Sequence, residues 1–121
     1  MSIQHLAQQY NDFMSCFGSG VEIDQSVLIE KLFTADFQKI ANGIILTLGR
    51  KELENQLTEI KEKTGNWTIE TKKILPSADN KECTIRFMAE TEKAGKFDVL
   101  AVLSSEDNLQ ISKIDEIYYQ V

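Results

Sequence analysis

The chain has 121 residues, of which 42% are apolar and 26% charged, and carries a net charge of −6. Those values fit one globular domain over residues 1–121 that buries its own core without disulfide staples. The 13 basic residues are scattered and the densest pairs, Arg50-Lys51 and Lys72-Lys73, sit beside acids, which argues against nucleic-acid binding because phosphates need clustered cations.

The N-terminal MSIQHLAQQY lacks a basic segment followed by a continuous apolar one, so it does not read as a secretory signal. No apolar run approaches the ~18 residues of a membrane span, and a cytoplasmic protein is expected. Ile3, Leu6, Ala7, Tyr10, Phe13, Met14 and Phe17 recur at steps of three and four, which predicts a helix over residues 2–17. GSG at 18–20 ends it. Asp24 or Ser26 can cap a short second helix with Val27, Leu28 and Leu32 as its buried side. From Phe33 to Leu48 the pattern is extended and is broken by Asn42-Gly43, a hairpin signal between two strands. Gly49 opens a third helix, with Leu53, Leu57 and Ile60 as its apolar stripe and Gly65 as its stop.

Strands follow. NWTIETKKIL runs to Pro76, the one proline of the chain. In ECTIRFMAET, Cys83, Ile85, Phe87 and Ala89 alternate with Thr84, Arg86, Met88 and Glu90. FDVLAVL and LQISKIDEIYYQV close the chain after turns at EKAGK and SSEDN. Helices grouped ahead of a strand meander indicate an α+β fold with a mainly antiparallel sheet.

Chemistry is sparse. Cys16 and Cys83 form no CxxC or Cys/His spacing, so no metal site is expected and two free thiols in a reducing compartment are. His5 is the single histidine and lies off the apolar stripe of the first helix, which leaves Ser-His-Asp and Cys-His catalysis without support. No Gly-rich phosphate loop is present, and no cofactor is expected. Glu90, Asp115 and Glu116 read as acids on the solvent side of strands.

The order of elements, with LFTADF before the first strand, LGRKELENQL at the third helix and FDVLAVLSSEDNLQISKIDEIYY as the last hairpin, resembles the nuclear transport factor 2-like superfamily. Its relatives include SnoaL-like polyketide cyclases, ketosteroid isomerases and scytalone dehydratases. The resemblance implies a curved sheet folded against three helices on its concave side, a cone whose open end is a ligand pocket. It makes Asp36 part of the structural step into the first strand. Ketosteroid isomerases use a carboxylate base together with a tyrosine and a protonated aspartic acid. Laid on that pattern, the base position holds Ala41, which cannot take a proton. Nearby Lys39 would have to be neutral, and Asn42 does not titrate. Tyr10 and Asp98 fall near the two oxyanion-binding positions.

The resemblance thus implies a pocket lined by Tyr10, Trp67, Phe87, Asp98 and Leu100, with Met88 at its border, that binds a small apolar molecule. The alternatives are an enzyme of the isomerase, cyclase or dehydratase kind, or a non-enzymatic interaction module whose cone is filled by its own side chains. A homodimer through the open sheet face is also expected. FDVLAVL offers apolar residues on both sides, Phe97, Val99, Ala101 and Leu103 on one and Leu100 and Val102 on the other. Ile117 and Tyr119, or Tyr118 and Ile114, extend the same row.

Overall fold

The structure is a computed structural model and describes residues 2–121. Helix α1 spans Ile3–Gly18, capped by Ser2, whose hydroxyl accepts the His5 N–H at 3.1 Å. Ile3, Leu6, Ala7, Tyr10 and Phe13 form its buried stripe. Helix α2 spans Gln25–Leu32 with Asp24 as its cap. Its buried residues are Ile29 and Leu32, whereas Val27 and Leu28 are exposed. The expected side was therefore rotated. Ile29 and Leu32, three apart, are the pair that one short helix can turn inward together.

Strands β1 (Phe33–Ala41) and β2 (Ile44–Leu48) form the expected hairpin. Asn42 and Gly43 both have positive φ, 50° and 82°, which fits the right-handed twist of the strands they join. Helix α3 spans Gly49–Thr64 and stops at Gly65, whose φ is 71°. Strands β3 (Trp67–Pro76), β4 (Glu82–Thr91), β5 (Gly95–Ser104) and β6 (Ile111–Gln120) make the meander.

The six strands lie in the order β2-β1-β6-β5-β4-β3. Every pairing is antiparallel except β1 with β6, which joins the first hairpin to the meander. Register shifts at Lys39/Ile40 and Thr71/Lys73 mark irregularities of the kind that bend strands, and the sheet is curved and not closed. α1 packs on β3 and β4, and α2 and α3 on β1. The fold is α+β, as expected from the grouping of helices and strands.

The inner face divides along its ladders. At one end Ile85, Ala101, Leu103, Ile111 and Ile114 pack with Ile3, Leu6, Phe33 and Phe37 into a sealed core. Phe33 is its aromatic hub, with ring centroids of Tyr10, Phe13 and Phe37 at 6.2, 6.0 and 4.6 Å. At the other end, beyond the paired Phe87, Val99 and Tyr118, the helices and sheet part and leave a cavity.

Among the described residues no helix is long and apolar enough to cross a membrane. Cys16 and Cys83 are free, with Cys83 buried. Asp36 is exposed and accepts no hydrogen bond among the described residues.

Candidate functional site

The cavity at the open end of the cone measures about 250 Å³. One wall is apolar and aromatic: Trp67 and Ile69 from β3, Phe87 and Ala89 from β4, Phe97 and Val99 from β5. Met14 on α1 and Ile60 on α3 cover it from the helices. Ile60 is only half-buried because it faces this space and not the core.

Trp67 is fixed from three directions. Its Nε1 donates to the Met14 carbonyl at 3.1 Å. The Phe17 ring packs edge-on at 5.6 Å, and Lys61 Nζ sits 4.9 Å from the indole. The indole also lies against Gly18 so closely that a Cβ there would fall 2.2 Å from Nε1. Lys61 further donates to the Phe17 carbonyl. Burial lowers its pKa, an effect that Glu92 opposes.

The main polar groups of the lining come from four elements. Lys39 on β1 is 3% exposed, and its Nζ donates to Gln56 Oε1 on α3 at 3.3 Å. The same Nζ lies 3.7 Å from Glu116 Oε1 on β6. The pairing follows from the parallel ladder. Ala41 stands opposite Glu116 and carries only a methyl group, so the carboxylate meets the next side chain on that face, Lys39. Both charges are almost wholly out of water, which is tolerable only because each has the other close by. Tyr10, 2% exposed, completes the group from α1. Burial first, and the Glu116 charge second, hold its pKa well above that of a free phenol, so it stays a neutral donor.

Tyr10, Trp67 and Phe87 thus stand together around the cavity. Asp98 and Leu100 do not. They alternate with Phe97, Val99 and Ala101 along β5 and so face the outer side of the sheet. There Asp98 accepts Arg86 Nε at 3.2 Å and Nη2 at 2.7 Å, and the Tyr119 hydroxyl at 3.0 Å. The Arg86 hydrogen bonds, then that of Tyr119, hold the Asp98 carboxyl below the usual carboxylate range against the opposing effect of burial. It is therefore ionised and paired, not a protonated acid in an apolar pocket. Leu100 is 40% exposed beside Ile117. Met88, paired with Asp98 on β4, shares that outer side.

Glu116 corrects the expectation that it faces solvent: it is 8% exposed and lines the cavity with Tyr118. The signal was in the sequence, since Ile114, Glu116 and Tyr118 are two apart and share one strand face. Lys39 was legible in the same way from Phe37 and Ala41. No cluster of His, Cys, Asp and Glu among the described residues is arranged to hold a metal ion. A second hollow lies outside the cone between α1, α2 and the β5–β6 turn, bordered by Asp12, Lys31 and Asp107. It measures about 580 Å³, and Phe13, Leu28, Leu32 and Leu109 make up the apolar part of its wall.

No family model and no curated protein matches the chain by sequence. Solved structures do match by shape. An NTF2-like protein from Anabaena variabilis is 16% identical, with 97% of this chain and 89% of that one covered and a TM-score of 0.76. A protein of ketosteroid isomerase-like fold from Catenulispora acidiphila, solved in complex with trimethylamine, is 16% identical over 96% and 85%, with a TM-score of 0.72. The epoxide hydrolase/cyclase-like enzyme SalBIII, of pyran ring formation in the polyether salinomycin, is 15% identical over 96% and 92%, with a TM-score of 0.75. SnoaL-like proteins match at similar scores. At such identities the likeness is one of architecture, and it extends along nearly the whole chain: this protein has the nuclear transport factor 2-like fold shared by SnoaL-like and ketosteroid isomerase-like proteins.

Proposed function

We propose that this protein binds a small, mostly apolar molecule in the open end of its cone. The observation that carries the reading is the cavity itself: about 250 Å³, walled by Trp67, Phe87, Phe97 and Val99, with polar groups supplied mainly by Tyr10, Lys39, Gln56, Glu116, Tyr118 and two threonines. Ligand sites have this character, a largely apolar wall with a few placed polar groups. A dry apolar cavity of roughly 150 Å³ already accommodates benzene. The same cavity weighs against an interaction module whose cone is packed solid.

The enzymatic alternative draws support from the Lys39–Glu116 pair and from SalBIII among the similar folds. Ala41 weighs against it, because the residue in the isomerase-type base position carries no titratable group. Binding without isomerisation is the reading favoured here. Two free thiols support a reducing, cytoplasmic setting.

The homodimer belongs to the same proposal. Leu100, Ile117 and Tyr119 are 40%, 61% and 59% exposed on the outer face of neighbouring strands. Burying each large side chain is worth roughly 1.5–3 kcal/mol, and a two-fold copy offering the same patch is the commonest way to do so.

Trp67 is the single tryptophan and lines the cavity, so its fluorescence tests the reading. Titration with toluene should change the emission in a saturable way. An emission unchanged up to the solubility limit of toluene would contradict it.

A further inference from the structure

The apolar wall sets the bulk of the ligand, and the opposite wall sets its functional group. Three residues there are almost wholly buried: Lys39, Glu116 and Tyr10. Their hydrogen-bonding capacity exceeds what the protein uses. The Lys39 ammonium has three N–H donors. Among the described residues it makes one hydrogen bond, to Gln56 at 3.3 Å, and one looser ion pair, to Glu116 at 3.7 Å. The Glu116 carboxylate and the Tyr10 hydroxyl make no hydrogen bond among the described residues, and both line the cavity. Buried polar groups are ordinarily paired, so the cavity presents a donor and an acceptor side by side with bonds still to make.

The charges narrow the choice further. A ligand carboxylate would gain Lys39 but meet Glu116. A ligand ammonium would gain Glu116 but meet Lys39. A carbonyl accepts from Lys39 or Tyr10 and leaves Glu116 unserved. A hydroxyl serves both: its proton goes to Glu116 and its oxygen accepts from Lys39.

We infer that the ligand is a neutral ring compound bearing a hydroxyl group, a phenol or cyclic alcohol, whose oxygen sits between Lys39 and Glu116 while its ring lies against Trp67, Phe87 and Phe97. This deepens the proposed binding function and rests on it. No bond is made or broken. The Lys39–Glu116 pair acts as a selectivity filter, accepting a group that both donates and accepts and rejecting either charge.

The test is calorimetric titration at pH 7 with four one-ring probes: p-cresol, toluene, benzoate and benzylamine. The wild-type protein should bind p-cresol at least tenfold more tightly than each of the others. The volume-conserving double variant K39M/E116L should bring p-cresol and toluene to within about threefold. Glu116→Gln, which keeps a polar side chain and needs no second substitution, should raise benzoate affinity at least tenfold, because it removes the repelling charge and leaves Lys39. Toluene binding as tightly as p-cresol would overturn the inference while leaving the apolar pocket intact. So would benzoate or benzylamine binding most tightly, or a p-cresol preference that survives in the double variant. If none of the four binds, the pocket reading itself fails and this inference falls with it.

Discussion

Lys39 Nζ and Glu116 Oε1 face each other at 3.7 Å, one on β1 and one on β6, across the single parallel pairing of the sheet. The contact exists because the first and last strands of the chain are neighbours, and because Ala41 leaves its rung open. It places both charges in a cavity whose remaining wall is largely apolar.

Removing one partner should cost more than removing both. Lys39→Met leaves Glu116 buried and unpaired, and truncation of one member of a buried pair typically destabilises by about 3–5 kcal/mol. The double variant K39M/E116L should recover most of that loss, since apolar residues of similar volume often replace a buried pair at no cost. Urea unfolding of both variants checks the order. A single variant as stable as wild type would show that the pair is hydrated and not part of a buried site.

Gly18→Ala should disturb the cavity from behind. The added methyl would overlap the Trp67 indole, and overpacking of this kind costs about 1–3 kcal/mol. Because the indole must move, Trp67 emission should shift together with the unfolding midpoint. A stable variant with unchanged emission would contradict the packing described.

Asp98 sets an acid limit. Its carboxyl has a lowered pKa, chiefly through Arg86 and then Tyr119, so its contribution to stability is fully present above the unfolded-state pKa of about 3.9. That contribution is lost as pH falls from there through the lower folded value. Asp98→Asn should therefore be less stable than wild type at pH 7, and the gap should narrow below about pH 4. Toluene affinity should be unaffected, because Asp98 lies on the outer face. An equal loss at pH 7 and pH 2.5 would show that the ion pair contributes nothing.

Light scattering at micromolar concentration should give twice the chain mass of 13.8 kDa. Ile117→Lys, on the outer face beside Leu100, should return the mass to that of a single chain while toluene still binds. A single-chain mass for the wild-type protein would refute the dimer.

Much of the fold was legible from the sequence because local signals agreed with one another. The 3.6-residue stripe of α1, Asn42-Gly43, Gly65 and the alternation of β4 each specify an element without reference to the rest of the chain. The site was legible only in part. Tyr10, Trp67 and Phe87 are large apolar bodies, and burial alone brings them inward. Asp98 departs from the place that the resemblance implies because strand parity decides it: it alternates with Phe97 and Val99, and on the outer face it pairs with Arg86 of the neighbouring strand. Glu116 reads from sequence as a solvent-facing acid because charged residues on strands usually face water, and Lys39 reads only as a base that would have to be neutral. Their pairing depends on β1 lying beside β6, a contact between residues 77 apart in the chain, and no local pattern announces it.

The most direct test of the central claim is an amide chemical-shift map of the protein titrated with toluene. Saturable shifts are expected along the cavity strands, at Phe87, Ala89, Val99 and Tyr118, with Thr84, Val102 and Asp115 unmoved. Shifts confined to the outer face around Leu100 and Ile117, or none at saturation with toluene, would contradict a ligand-binding cone.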